Sequence, residues 1–347
     1  MDIKMKPLLE TLQLLDISDE EYFSSKYSNY ISNSKLKYMN PEQGGSPSIF
    51  KEGIPFTASP SLILGSAVHC ITLQPNDFVL APLTTKPTAK LGIMADELYK
   101  TFENTCNITD EDVIQASDKV DYYKGKLTTE RIAEVKSKCR PYLEGRLDWI
   151  TRTNDTREPI FLDSKMWEIA TACINSINKD KEIQSLLNPE SFDAYVLNEG
   201  TLLMDVEANV DGMTTILKLK AKLDSFTIDV ARNRIILNDL KTTGHLVRDF
   251  GNSFKFYHYS RQGAMYLWLL KLYAEQVYKL QHPEMYVNFM LVSTVPNYQT
   301  GVYRCRNHEI AEGFKEFKRL LRMVAYCEIY GYDGSMGTNI DGSQFDL

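Results

Sequence analysis

The chain has 347 residues, of which 43% are hydrophobic and 24% charged, with a formal net charge of −7. That length allows one large core or two modest ones, and the acidic balance argues against a protein that binds nucleic acid over its whole surface. The longest apolar run, "MYLWLLKLY" at 265–273, is half the ~18 residues a membrane span requires and carries a lysine. No membrane association is expected, and a cytoplasmic location is the default expectation.

Taken in chain order, "MDIKMKPLLETLQLLDIS" threads charges through its apolar positions and lacks a small-residue cleavage site, which predicts an amphipathic helix rather than a signal peptide. "ISNSKLKYM" offers Ser32 or Ser34 as a helix N-cap. From Asn40 to Pro60 the Pro, Gly and Ser content predicts a loop or extended arm. "SLILGSAVHCITLQP" reads as a short buried helix stopping at Pro75, with His69 on an otherwise apolar surface. Residues 80–190 are polar with helical periodicity, clearest in "SKMWEIATACINSINKDKEIQSLL". No internal repeat is present.

The texture changes near residue 191. "FDAYVL", "TLLMDVEANVDG", "TILKLKAKLDSFTID" and "RIILNDLKTTG" are strand-like and separated by Asn, Gly and Asp turns, which predicts an antiparallel meander. A helix from Tyr259 to Leu280, a strand "MYVNFMLVST" and an amphipathic helix "EIAEGFKEFKRLLRMVAYCEIY" follow. The fold class is α/β, of the mixed-sheet α+β kind. The expected divisions are N-terminal helices and a loop at 1–60, a helical region at 61–190, a catalytic core at 191–330 and a flexible tail at 331–347.

Two strands carry the chemistry. In "KLKAKLD", Lys218, Lys220, Lys222 and Asp224 share one face and Leu219, Ala221 and Leu223 the other. Alone, this is a half-exposed strand with a solvated lysine face. In "RIILNDLKTTG", Ile235, Leu237, Asp239 and Lys241 share a face, so a strand apolar at its start becomes charged at its end. Ionised groups do not sit inside a sheet without partners, because desolvating a lone carboxylate costs several kcal/mol. Either Asp224, Asp239 and Lys241 form a structural network, or they bind something charged. Two carboxylates on adjacent strands suit Mg²⁺, and a nearby lysine could orient or help deprotonate an attacking water and offset phosphate charge. Between Asp211 and Gln262 there are nine Lys/Arg against five Asp and no Glu, a basic island in an acidic chain.

Asp224 followed by Asp239-Leu240-Lys241 resembles the paired-acid and lysine pattern of the PD-(D/E)XK nucleases, which have a restriction-endonuclease-like core. "LGSAVHC" with His69, "QGAMY" with Gln262 and Tyr266, and "ISNSKL" resemble motifs of its RecB-type and exodeoxyribonuclease VIII-type branch, in the same order along the chain. The likeness is nearest to exodeoxyribonuclease VIII-like proteins of phages and prophages. It covers residues 30–75 and 191–295, with residues 1–60 as a helical elaboration, and matches nothing in 80–190.

The resemblance implies Asp224, Asp239, the carbonyl of Leu240 and His69 as metal ligands, for two Mg²⁺ or Mn²⁺ ions. It implies Lys241 as the catalytic lysine, with Gln262 and Tyr266 holding phosphates or catalytic geometry, and leaves Glu207 as a secondary outer acid. Cys70, Cys106, Cys139, Cys173, Cys305 and Cys327 are too scattered for the branch's iron–sulfur cluster, so none is expected. The implied activity is exonucleolytic degradation of double-stranded DNA from its ends, 5′ to 3′, leaving a tail for a strand-annealing recombination protein. A homo-oligomeric ring is a further expectation. An endonuclease, a nuclease subunit of a repair or defence complex, and a non-catalytic DNA-binding member of the fold are the alternatives. "FKFYHYSRQ" at 254–262 mixes aromatics with Lys255, His258 and Arg261, which suits either base stacking and phosphate contact or the packed start of a helix. Lys218 and Lys220 could line a groove leading to the metals.

Overall fold

The computed structural model describes residues 3–54, 59–82, 86–87, 89–123, 125–153, 155–191 and 193–332. Residues 1–62 and 175–347 cluster as one compact unit and residues 63–174 as another. The expected flexible tail lies outside the described residues from 333 onward.

The chain opens with a strand, β1 (Ile3–Leu15), where an amphipathic helix was expected. Pro7 would cost a helix interior ~3 kcal/mol but is tolerated at a sheet edge, which β1 forms. Its pairing with a later strand jumps between Leu8 and Gln13, and Thr11 Oγ1 donates to Leu8 O at 2.7 Å inside that bulge. Short helices α1 (Asp19–Tyr22), α2 (Asn33–Leu36) and α3 (Pro47–Glu52) follow. Ser32 is the N-cap of α2, its hydroxyl accepting from Lys35 N at 3.1 Å.

Helix α4 (Pro60–Leu73) leads into the second unit, which continues with β2 (Phe78–Pro82), α5 (Ala89–Thr105), α6 (Asp110–Lys119), α7 (Thr129–Thr153), β3 (Glu158–Leu162) and α8 (Ser164–Lys179). The polar helical region expected here thus also contains two strands, which pair in parallel. Its core is Met94, Leu98, Phe102, Val135, Cys139 and Leu143, brought together by α5 and α7.

The first unit resumes with α9 (Lys181–Leu187), β4 (Ala194–Val210), β5 (Met213–Asp229), β6 (Arg234–Thr243), α10 (Phe250–Phe256), α11 (Tyr259–Val277), β7 (Glu284–Ser293), β8 (Thr300–Arg304) and α12 (Asn307–Tyr330). Six strands form one mixed α/β sheet in the order β1-β4-β5-β6-β7-β8, with only β6 and β7 parallel. The two segments expected as separate strands around residue 198 are one strand, β4. Leu219, Ala221 and Leu223 on β5 are fully buried and join Met265 and Leu269 of α11 and Leu320 and Val324 of α12 in the core. Each of these leucine, methionine and valine side chains contributes roughly 1.5–3 kcal/mol by leaving water.

The opposite face of β5 is partly covered by the segment from α1 to Ile31, which bridges the strand's edge through Ile31 N to Lys218 O at 2.7 Å and Lys220 N to Ile31 O at 3.0 Å, and brings Asp19 to Lys222 and the Tyr30 ring to Lys218. Lys220 is consequently only 7% exposed, and its ammonium donates to Tyr22 O at 2.9 Å. Burial pulls its pKa down to about 8. A charged ladder legible in the sequence is therefore the floor of a partly covered surface rather than an open edge.

Candidate functional site

Strands β5 and β6 pair from Asp229↔Arg234 only as far as Ser225↔Asn238. The hairpin end is pinned by buried Asp229, whose carboxylate accepts from Arg232 N at 3.1 Å and pairs with Arg232 and Arg234 at 3.0 Å. Beyond Ser225 the strands diverge. Asp224 and Asp239, the next residues on each, lie where the fork opens, and β6 continues alongside β7 to Thr243.

The fork is closed by a side chain. Asp224 Oδ2 accepts from Leu240 N at 2.7 Å, replacing the backbone carbonyl that a continued ladder would have offered. Asp239, 2% exposed, accepts from Gln262 Nε2 at 2.6 Å through Oδ1 and forms an ion pair with Lys241 through Oδ2. Of the two alternatives left open by the sequence, a network among these charges or a charged ligand, the first is present as an ion pair between Asp239 and Lys241. Burial alone would push the Lys241 ammonium down, but Asp239 and Asp224 outweigh it and hold the value above the ordinary lysine range. Lys241 is thus a fixed cation and not a base. Its Nζ also lies 5.2 Å from the ring centroid of Tyr259.

On α11, Tyr266 sits one turn beyond Gln262; burial first, then the nearby Tyr22, Asp239 and Asp224, hold its hydroxyl pKa well above the usual range. The helix thus delivers Gln262 to Asp239.

One acid was missed in the sequence. Glu199 lies on β4 between the pairs Asn198↔Ser225 and Gly200↔Leu223, directly across from Asp224. It adopts a left-handed conformation, φ 57°, unusual inside a strand. Gly200 beside it is closely packed, since a Cβ there would come within 2.8 Å of Leu197 Cδ2. Glu199 sits 3.2 Å from Lys222, which also pairs with Asp19. Burial and the Asp224 charge push Glu199 up to about 7, and burial raises Asp224 as well. The signal for it was "NEG", which reads as a turn between two strands and not as a strained point within one.

Glu207, the secondary acid expected from the sequence, is not at this place. It is paired with Ile216 and Lys6, eight residues along β4 from Glu199, or roughly 27 Å at the rise of an antiparallel strand. Arg261 and His258 also change role. Arg261 is 1% exposed and donates to Asn33 Oδ1 (2.9 Å), Gln43 Oε1 (2.9 Å) and Glu316 Oε1 (2.8 Å), while His258 Nδ1 lies 2.9 Å from Glu316. They tie the N-terminal segment to α11 and α12, out of reach of a phosphate. His69 lies near the end of α4 and is half-buried; Lys218 is also half-buried, its Nζ 5.6 Å from the ring centroid of Tyr30.

Burial raises the pKa of both Glu199 and Asp224, and each adds to the cost of ionising its neighbour. Oxygen donors in that condition fit a hard divalent cation, which would replace their protons. Among the described residues no helix is long and apolar enough to cross a membrane. No protein-family model and no curated protein matches the chain. Among solved structures, it is similar to a Eubacterium rectale protein described as a "Putative exonuclease", at 12% identity and a TM-score of 0.41, over 89% of this chain and 86% of that one. A second likeness is to Scheffersomyces stipitis Rai1, solved with (3′-NADP)⁺ and calcium, at 10% identity and a TM-score of 0.18, over 95% of this chain and 82% of that one. At these TM-scores neither likeness bears on function.

Proposed function

We propose that this protein is a PD-(D/E)XK-type nuclease: a Mg²⁺- or Mn²⁺-dependent exodeoxyribonuclease that degrades one strand of duplex DNA from its ends, 5′ to 3′. The observation that carries the reading is the β5–β6 fork. It gathers Asp224, Asp239, Lys241 and, from β4, Glu199 where two strands part, with Gln262 holding one oxygen of Asp239. Our proposed donor set is Glu199 and Asp224, extended by Asp239 and the carbonyl of Leu240 if a second ion is held.

A divalent cation in that set would supply Lewis acidity toward a phosphodiester. The chain's own groups do the remainder. Lys241, held charged, faces the negative charge that gathers on the phosphoryl oxygens and passes from Asp239 to substrate as the strand arrives. Gln262 keeps Asp239 from rotating, with Tyr266 one turn beyond it on α11. Proton removal from the attacking water falls to a carboxylate of the cluster, since Lys241 has no lone pair to offer while protonated. A strand-annealing partner and a ring of several copies would suit the tailed product, and both belong to this proposal.

The test is an end-labelled linear duplex with Mg²⁺, compared with a covalently closed circle. Nucleotide release from the 5′ end that is lost in Lys241→Ala supports the proposal. Release from the 3′ end reverses the polarity, cutting of closed circles assigns an endonuclease, and binding without cleavage sinks the catalytic reading.

A further inference from the structure

Helix α10 is aromatic on two sides, and only one of them is needed for folding. Phe250 and Phe254 are 2% and 5% exposed and pack on Phe289 and Tyr303. Phe256 and Tyr257, at the end of the same helix, are 73% and 50% exposed. Leaving two large rings in water forgoes several kcal/mol of burial, so their position asks for an occupant.

The turn that presents them is fixed. His258, the next residue, is left-handed at φ 53° and is held through Nδ1 by Glu316, which also binds the buried Arg261. The rings form a contiguous row that ends at the fork. Phe256 and Tyr257 are edge to face at 4.9 Å, Tyr257 and Tyr259 are 5.6 Å apart and inclined by 32°, and the Lys241 ammonium lies over Tyr259. Lys255 and Arg248 are exposed on the same segment. Exposed flat rings beside cations, leading to a phosphate-directed lysine, match a single strand, whose bases stack while its phosphates track the charges. Paired bases inside a duplex have both faces covered by their neighbours, whereas an unpaired base can turn its face onto a ring.

We propose that Phe256 and Tyr257 are a stacking platform for an unpaired base of the strand entering the site, so that the substrate at the fork is a single-stranded or frayed DNA end. The proposal rests on the nuclease reading and adds the state of the DNA. A duplex end must unpair before its phosphodiester reaches Lys241, and the platform stabilises the unpaired state.

The test uses the full chain in EDTA with a single-stranded oligonucleotide carrying 2-aminopurine, whose fluorescence is quenched by stacking on a ring. The expected result is quenching by the wild type, its loss together with about tenfold weaker binding in Phe256→Ala, and its retention in Phe256→Trp. The thermal midpoint of Phe256→Ala should equal that of the wild type, since the ring is not in the core. Quenching unchanged in a Phe256→Ala/Tyr257→Ala double variant overturns the platform, as does Mg²⁺-dependent cleavage by a wild type that quenches nothing. A change of sedimentation mass in Phe256→Ala with quenching intact also overturns it and assigns the rings to an interface between copies. Phe256-dependent quenching in a chain that cleaves no DNA supports the platform while overturning the nuclease reading.

Discussion

Asp224 accepts the amide proton of Leu240 across the mouth of a split between two strands, at 2.7 Å. One oxygen of a carboxylate in the candidate site therefore also does structural work. The two functions can be separated. Asp224→Asn keeps an acceptor for Leu240 N–H, whereas Asp224→Ala leaves a buried donor unsatisfied at about 1–3 kcal/mol. Both should abolish metal-dependent cleavage, but only the alanine variant should lower the unfolding free energy from urea titration by that amount. Equal stabilities would show that the bond contributes nothing.

Lys241→Ala should reduce cleavage at least a thousandfold, and it should also destabilise the fold. Removing the cation strands Asp239 and Asp224 in a buried place, which costs about 3–5 kcal/mol where both remain charged. The loss should shrink as pH falls and the carboxylates take up protons. A Lys241→Ala variant with wild-type stability at pH 8 would contradict the ion pair.

Glu199 gives the free chain a pH dependence of definite sign. Its folded value is raised from 4.5 to about 7, so the folded state holds the proton more tightly than the unfolded one. Its protonated form is fully compatible with folding below 4.5, and stability is lost as pH rises through about 7, by something on the order of 2–3 kcal/mol. Glu199→Gln should flatten this slope. Mg²⁺ or Mn²⁺ should raise the thermal midpoint more at pH 8 than at pH 5.5, because at the lower pH it competes with protons. A metal shift independent of pH would argue against Glu199 as a donor.

Arg261→Met should cost about 1–3 kcal/mol by removing the buried guanidinium's bonds to Asn33, Gln43 and Glu316, the last of which keeps His258 and Asn40 as partners. Arg261→Lys should not restore it, since a single ammonium cannot reach Asn33, Gln43 and Glu316 together. DNA affinity of either variant, measured at a temperature where it remains folded, should be close to that of the wild type. A selective loss of affinity would return Arg261 to the phosphate-binding role its sequence context had offered.

What could be seen in the sequence follows from where local pattern and tertiary context agree. β5 alternates cleanly because one face meets α11 and α12, and β6 is apolar on both faces because it lies inside the sheet. The covering of the lysine face by residues 19–31 was invisible, since nothing local marks a strand as roofed by a segment two hundred residues away. β1 was misread because its bulge after Leu8 breaks the period of two and leaves leucines at helical spacing; Pro7 was the available warning. Glu199 was hidden by a backbone anomaly, as a left-handed residue followed by glycine normally ends a strand and here does not.

The partial pairing of β5 with β6 also bears on how this protein can change over time. Between Ser225 and Asp229 the two strands hold each other, and substitutions there would be felt as poor expression or aggregation. From Asp224 and Asp239 onward the like charges are held together against their mutual repulsion, so a drift such as Glu199→Gln would relieve the chain at pH 8 as it disarms it. Lineages that lose the activity through that residue would therefore be expected to yield hardier, inert descendants that keep the sheet intact. The fold would outlive its chemistry.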